Sequence, residues 1–137
     1  MRCVTKYDAD AVAELDALLF PDNNFNETTI AAEITLGMGL VVEDEDAIVA
    51  YALVRDDGHL LDLIRLGVRQ SHQRKGLGAQ LLKHLLKMGR EVMLTVRPDN
   101  LVAIHLYQSF GFEFVGRLRN GAGWVMRRFD TTSPTSL

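Results

Sequence analysis

The segment from His59 to Gly78 constrains this chain more than any other. His59–Val68 is a strand-length run with apolar residues on both faces, the pattern of a central strand covered by helices. It opens through Arg69-Gln70-Ser71-His72-Gln73-Arg74-Lys75-Gly76-Leu77-Gly78 into a helical pattern, Gly76–Met88, which Gly89 stops. A strand that runs through a basic, glycine-rich turn into a helix is a device for holding phosphate. The glycines let the backbone turn tightly and approach a ligand. The first helical turn presents unpaired N–H groups and the positive end of the helix dipole. The net charge is −3, so a basic patch at Arg69, Arg74 and Lys75 reads as a small-anion site. Nucleic acid and anionic membrane are not expected partners.

The flanking elements follow from periodicity and punctuation. Val4–Tyr7 is short and β-prone. Asp8 is a candidate N-cap for a helix over Ala9–Phe20, whose apolar residues are Val12, Leu15, Ala17, Leu18 and Leu19. Pro21 ends it. A second helix spans about Glu27–Leu36, with Gly37 and Gly39 beyond it. Leu40–Glu43 and Ala47–Arg55 read as a hairpin around Asp44-Glu45-Asp46, and Asp56-Asp57-Gly58 is a turn. After the phosphate turn come a strand, Glu91–Val96, a helix, Asn100–Phe110, and a last pair of strands, Phe112–Gly116 and Trp124–Phe129. The order is β-α-α-β-β-β-α-β-α-β-β. That is an α+β (mixed α/β) fold with one central mixed sheet of six to seven strands flanked by helices. Residues 1–129 form one domain, and 130–137 read as a flexible Thr/Ser/Pro-rich tail.

No stretch reaches the roughly 18 apolar residues of a membrane span, and the N-terminus lacks a signal-peptide core. The single cysteine, Cys3, suits a reducing compartment and a small apolar role. The expected location is therefore cytoplasmic. His59, His72, His84 and His105 show no metal-ligand spacing, so no metal is expected.

The turn is not a Walker A loop, because Lys75 precedes the glycines. Nor is it a dinucleotide fingerprint, because Leu81 stands where a third glycine belongs. What remains is Gln73-x-x-Gly76-x-Gly78. A second motif follows at Asn100-x-x-Ala103-x-x-Leu106-Tyr107-x-x-x-Gly111-Phe112. Together the two resemble the GNAT family of acetyl-CoA-dependent N-acetyltransferases, from about Leu40 to Phe129.

The resemblance implies transfer of an acetyl group from acetyl-CoA to a primary amine, by direct attack in a ternary complex. It implies that backbone N–H groups from Gln73, Arg74, Lys75, Gly76, Leu77, Gly78 and Ala79 hold the CoA pyrophosphate, with Arg74 and Lys75 screening its charge. The pantetheine arm would pair with the Leu66-Gly67-Val68 backbone as an added strand. That strand must then splay from Val92–Val96. A backbone N–H of the Leu66–Val68 segment would also serve as oxyanion donor. Asn100 would lie near the arm or cap its helix, or do both.

Tyr107 occupies the family's tyrosine position, from which a phenol can protonate the thiolate. Asp62 occupies the glutamate position of histone-type members, and is the candidate base through a bridging water. The Tyr107 region is nearest to the ribosomal-protein N-terminal acetyltransferase branch, which places a glutamate after this tyrosine and a further tyrosine in the last hairpin. This chain has Gln108 at the first position. Its last hairpin, Asn120-Gly121-Ala122-Gly123-Trp124, contains no tyrosine. A non-catalytic acyl-CoA-binding module is the alternative reading. Arg65 either pairs with Asp62 or lines the acceptor cleft; Phe25 and Trp124 either line that cleft or pack. The protein is expected to be a monomer or a homodimer.

Overall fold

The computed structural model describes residues 1–119, 121 and 123–129. The expected tail, 130–137, lies outside them, as do two residues of the last hairpin loop. The strands are β1 (Arg2–Cys3), β2 (Met38–Asp44), β3 (Ala47–Asp56), β4 (Leu60–Val68), β5 (Glu91–Val96), β6 (Glu113–Arg117) and β7 (Trp124–Arg128). The helices are α1 (Ala9–Leu19), α2 (Glu27–Leu36), α3 (Leu77–Leu86) and α4 (Leu101–Ser109). The strands form one sheet in the order β1-β2-β3-β4-β5-β7-β6. Only β4 and β5 run parallel; every other pair is antiparallel.

The sheet divides two cores. Along β3, Ala50, Ala52 and Val54 face α3 and α4, while Tyr51 and Leu53 face α1 and α2. This is the period-two alternation of a strand buried on both sides. From α3, Leu81, Leu82 and Leu85 enter the first core; from α1, Val12 and Leu15 enter the second. The β2–β3 loop is the two residues Glu45 and Asp46, at φ 51° and 65°. Both positive angles belong to the turn type that matches hairpin twist.

Two expectations are corrected. The strand read at Val4–Tyr7 lies at Arg2–Cys3, and Lys6–Asp8 form a single 3-10 turn. Asp8 explains this. Its carboxylate accepts from the Thr5 N–H at 2.7 Å and from two Arg2 nitrogens at 2.9 Å each, tying the chain into a turn before α1. Leu18, one of the apolar residues read in this helix, is exposed, whereas Asp16 is fully buried.

One irregularity shapes the rest. Leu53 pairs with Arg65 and Val54 with Leu63, so Ile64 is an extra residue in β4. Such a bulge bends its strand and flips the side-chain alternation. Leu61 and Leu63 face α3 and α4, as do Leu66 and Val68 beyond the bulge; Ile64 joins the other core.

Candidate active site

The two parallel strands part company at the bulge. β4 pairs with β5 only from Leu60↔Glu91 to Leu63↔Leu94. Beyond that point β4 follows β3, while β5 stays with β7 through Val96↔Trp124. The opening is a cleft of about 700 Å³. Its walls include Leu63–Leu66 of β4, Leu94–Val96 of β5, Asn100 and Tyr107, and the turn after α1 from Leu19 to Asn23. The splay expected between the central strand and Val92–Val96 is therefore present.

The glycine-rich turn sits at the far end of β4. Arg74 and Gly76 take left-handed angles, φ 66° and 81°. The Gln73 side chain donates from Nε2 to the Val68 carbonyl at 2.9 Å, folding the turn back on the strand. The first helical bond of α3 is Gln80 N–H to Gly76 O at 2.9 Å. Among the described residues, the backbone N–H groups of Arg74 through Ala79 donate to no protein acceptor, and no side chain caps the helix. Six consecutive free donors at a helix start are what an anion requires. At Gly78 an added Cβ would meet Leu106 at 3.5 Å and Val68 at 3.8 Å, which is ordinary contact. The fold therefore does not itself demand glycine there, so a ligand-facing reason for it is left open. Arg74 and Lys75 are exposed and in no ion pair among the described residues.

Leu66 lines the cleft. Gly67 turns to the opposite face, where a Cβ would lie 2.7 Å from the Tyr51 ring and 2.8 Å from Leu19. Its glycine is dictated by packing. Asn100 caps α4, accepting from the Ala103 N–H at 3.3 Å, and also lines the cleft. Tyr107 projects from α4 with 7% of its surface exposed. Burial pushes its phenol up to about 12, so it stays protonated at neutral pH. Its ring packs against Phe112 at a tilt of 56°, 5.6 Å between ring centroids.

Asp62 does not join this group. It stands where β4 and β5 are still paired, opposite Met93, and across from Arg55 on β3. It is absent from the cleft lining, and flanking Leu61 and Leu63 face the α3–α4 side, opposite to its own. Burial raises its carboxyl above the usual range, and nearby Arg55 opposes the shift. Trp124 packs edge-on against Phe114 at 4.9 Å and does not line the cleft.

Arg65 pairs with Asp16 of α1, not with Asp62. Asp16 is fully buried and accepts from Arg65 Nε at 2.9 Å, from the Phe25 N–H at 2.7 Å and from the Tyr51 hydroxyl. Burial first, then the bond to Asp16, hold the Tyr51 phenol far above its ordinary range. The sequence reading missed Asp16. The signal was available: Val12, Leu15, Asp16 and Leu19 form an i, i+3, i+4, i+7 stripe, so this acid sits on the buried face of its helix.

A row of free N–H groups at a helix start, beside a cleft between two parting parallel strands, suits a ligand with a phosphate at one end. Residues 9–112 match the Acetyltransferase (GNAT) family. The chain is 33% identical to the N-alpha-acetyltransferase RimI of Mycobacterium tuberculosis, over 96% of this chain and 92% of that protein. It is 29% identical to the L-amino acid N-acyltransferase MnaT of Escherichia coli, over 82% and 78% of the two chains. The solved ribosomal-protein-S18-alanine N-acetyltransferase of Escherichia coli superposes with a TM-score of 0.85 at 23% identity, over 99% of this chain and 96% of that one. The chain belongs to the GNAT acetyltransferase family; it is an acyltransferase with acetyl-CoA as co-substrate. No helix among the described residues is long and apolar enough to cross a membrane.

Proposed function

We propose that this enzyme acetylates the amine of an acceptor entering between the α1–α2 turn and the β5–α4 turn, by direct attack without an acetylated enzyme intermediate. The observation that carries the reading is the joining of two features by one strand. The free N–H groups of Arg74–Ala79 lie beyond one end of the splayed part of β4, and Tyr107 faces its cleft. The turn would hold the pyrophosphate of acetyl-CoA, with Leu66–Val68 offering backbone groups to its arm. Acetyl-CoA supplies the acetyl group as a thioester.

The chain's own residues then have defined tasks. The amine must arrive neutral, which is easier for an α-amine (pKa about 7.7–8.0) than for a lysine (about 10.4). Tyr107 donates a hydrogen bond at the position of the leaving sulfur. With a phenol so weakly acidic, it acts as a relay, passing its proton to the leaving thiolate only as it receives one from the attacking nitrogen. Asp62 lies outside the lining, so its proposed base role runs through water around the splay point.

Calorimetry with acetyl-CoA tests the donor site; absence of both binding and thermal stabilisation would refute it. Tyr107→Phe should lower kcat by roughly 10²–10⁴ while leaving donor affinity intact. Full turnover would reduce Tyr107 to a packing role. An unchanged pH–rate profile in Asp62→Asn would remove Asp62 from the reaction.

A further inference from the structure

We infer that Arg65 is a specificity-determining residue that reads an oxygen beside the acceptor amine. The acceptor class is therefore an α-amino carbonyl compound: an amino acid residue, free or at the start of a peptide. This rests on the acetyltransferase reading above.

Arginine carries five N–H donors in a rigid plane. Nε and Nη2 donate to the two oxygens of Asp16, at 2.9 and 3.3 Å, and Nη2 also donates to the Asn23 carbonyl at 2.9 Å. Nη1 donates to nothing among the described residues, and it is not among the sealed polar atoms that lack a partner. Phe20 and Phe25 each lie 4.2 Å from the guanidinium carbon and are positioned to cover its faces. The Asp16 side of the plane points into the protein, since Asp16 has 0% exposure, and the Arg65 side chain retains 12%. The remaining open direction is the Nη1 edge, and Arg65 lines the cleft.

An open edge of a stacked guanidinium binds a planar oxygen in its own plane. It offers a protonated polyamine or a lysine side chain no acceptor. Because Asp16 already neutralises the charge, a carbonyl oxygen is accommodated as readily as a carboxylate. Arg65 also lies two residues along β4 from the splay point at Leu63 and lines the same cleft as Tyr107.

The test combines an acceptor panel with Arg65→Lys. The panel holds a free amino acid, its amide, a dipeptide, a simple alkylamine and spermidine. Lysine can still neutralise Asp16 but has no second edge. The wild type should prefer the first three acceptors. Arg65→Lys should lower kcat/KM for them about ten- to a hundredfold, the size of one charge-assisted hydrogen bond. The alkylamine rate should fall several-fold less than theirs, and calorimetric acetyl-CoA affinity should be unchanged. Amino acid against amide and dipeptide distinguishes a carboxylate from a carbonyl. Preference for spermidine or the alkylamine in the wild type overturns the inference. So does an equal loss on every acceptor in Arg65→Lys, which assigns Arg65 a structural role. Either result leaves donor binding in place and the acetyltransferase reading standing; failure of acetyl-CoA to bind removes both.

Discussion

Replacing Asp16 should unsettle the fold and the acceptor side of the cleft together. Its carboxylate is fully buried and joins four elements: α1 that carries it, β3 through the Tyr51 hydroxyl, β4 through Arg65, and the α1–α2 turn through the Phe25 N–H. Asp16→Ala leaves a guanidinium without its counter-charge, an orphaned phenol and an orphaned amide. Removing one partner of a buried pair costs roughly 3–5 kcal/mol. That is a large share of the 5–15 kcal/mol of a typical domain. For a chain of this size each kcal/mol moves Tm by roughly 3–5 °C, so a fall of about 10–20 °C is expected by thermal denaturation. Asp16→Asn keeps the shape and one acceptor oxygen, and should cost about half as much. Hydrogen exchange adds a local readout, because the Phe25 amide should lose its protection. The double variant Asp16→Leu with Arg65→Met should recover the part due to the unpaired guanidinium, since apolar residues replace buried pairs at little cost, while the Tyr51 hydroxyl and the Phe25 amide stay without a partner. A Tm drop in Asp16→Ala below about 4 °C would refute the reasoning. So would a double variant no better than the worse single one.

Two further outcomes are expected. Gly78→Asp should abolish acetyl-CoA binding in calorimetry, by placing a carboxylate among the free N–H groups. The apo-protein should keep its Tm, because the new Cβ meets only ordinary contacts and an acid in the first turn of a helix is favourable. Unchanged donor affinity would displace the pyrophosphate from this turn. The second outcome concerns pH. The bond from Arg2, opposed by burial, holds the Asp8 carboxyl at about 2 against 3.8 unperturbed. A depressed carboxyl stabilises the fold above its unfolded pKa, and that contribution is lost as pH falls from about 4 through about 2. Asp8→Asn should therefore flatten stability across that window in acid titrations followed by circular dichroism. An identical acid limb in both proteins would show that the Arg2 pair contributes nothing.

Legibility divided along a physical line. The donor turn is local: Gln73, Gly76 and Gly78 are close in sequence, and Asn100 and Tyr107 lie on one short helix and its cap. Glycine placement found the turn, the family resemblance supplied Asn100 and Tyr107, and periodicity gave the order of elements and a sheet of six to seven strands. Asp62 was assigned by position, and position counted along a strand presumes an unbroken alternation. Of the two readings of Arg65, the cleft-lining one fits the structure, but its partner was not foreseen: Asp16 lies 49 residues away, and no local rule links an acid on one helix to a base on a strand. Two charges set in apolar surroundings were nevertheless both visible, and opposite charges that must both be buried have reason to meet.

The extra residue at Ile64 ties these outcomes together. With unbroken alternation, Arg65 would fall on the α3–α4 side with Leu61 and Leu63, and Leu66 on the α1 side. The bulge exchanges them: Arg65 reaches Asp16, and Leu66 joins the α3–α4 core. At the same point β4 leaves β5. One inserted residue thus opens the cleft, leaves the Leu66–Val68 backbone beside it unpaired on the β5 side, and sets a stacked arginine on the acceptor side. On the proposed reading, the two halves of the reaction meet at the place where the sheet stops being regular.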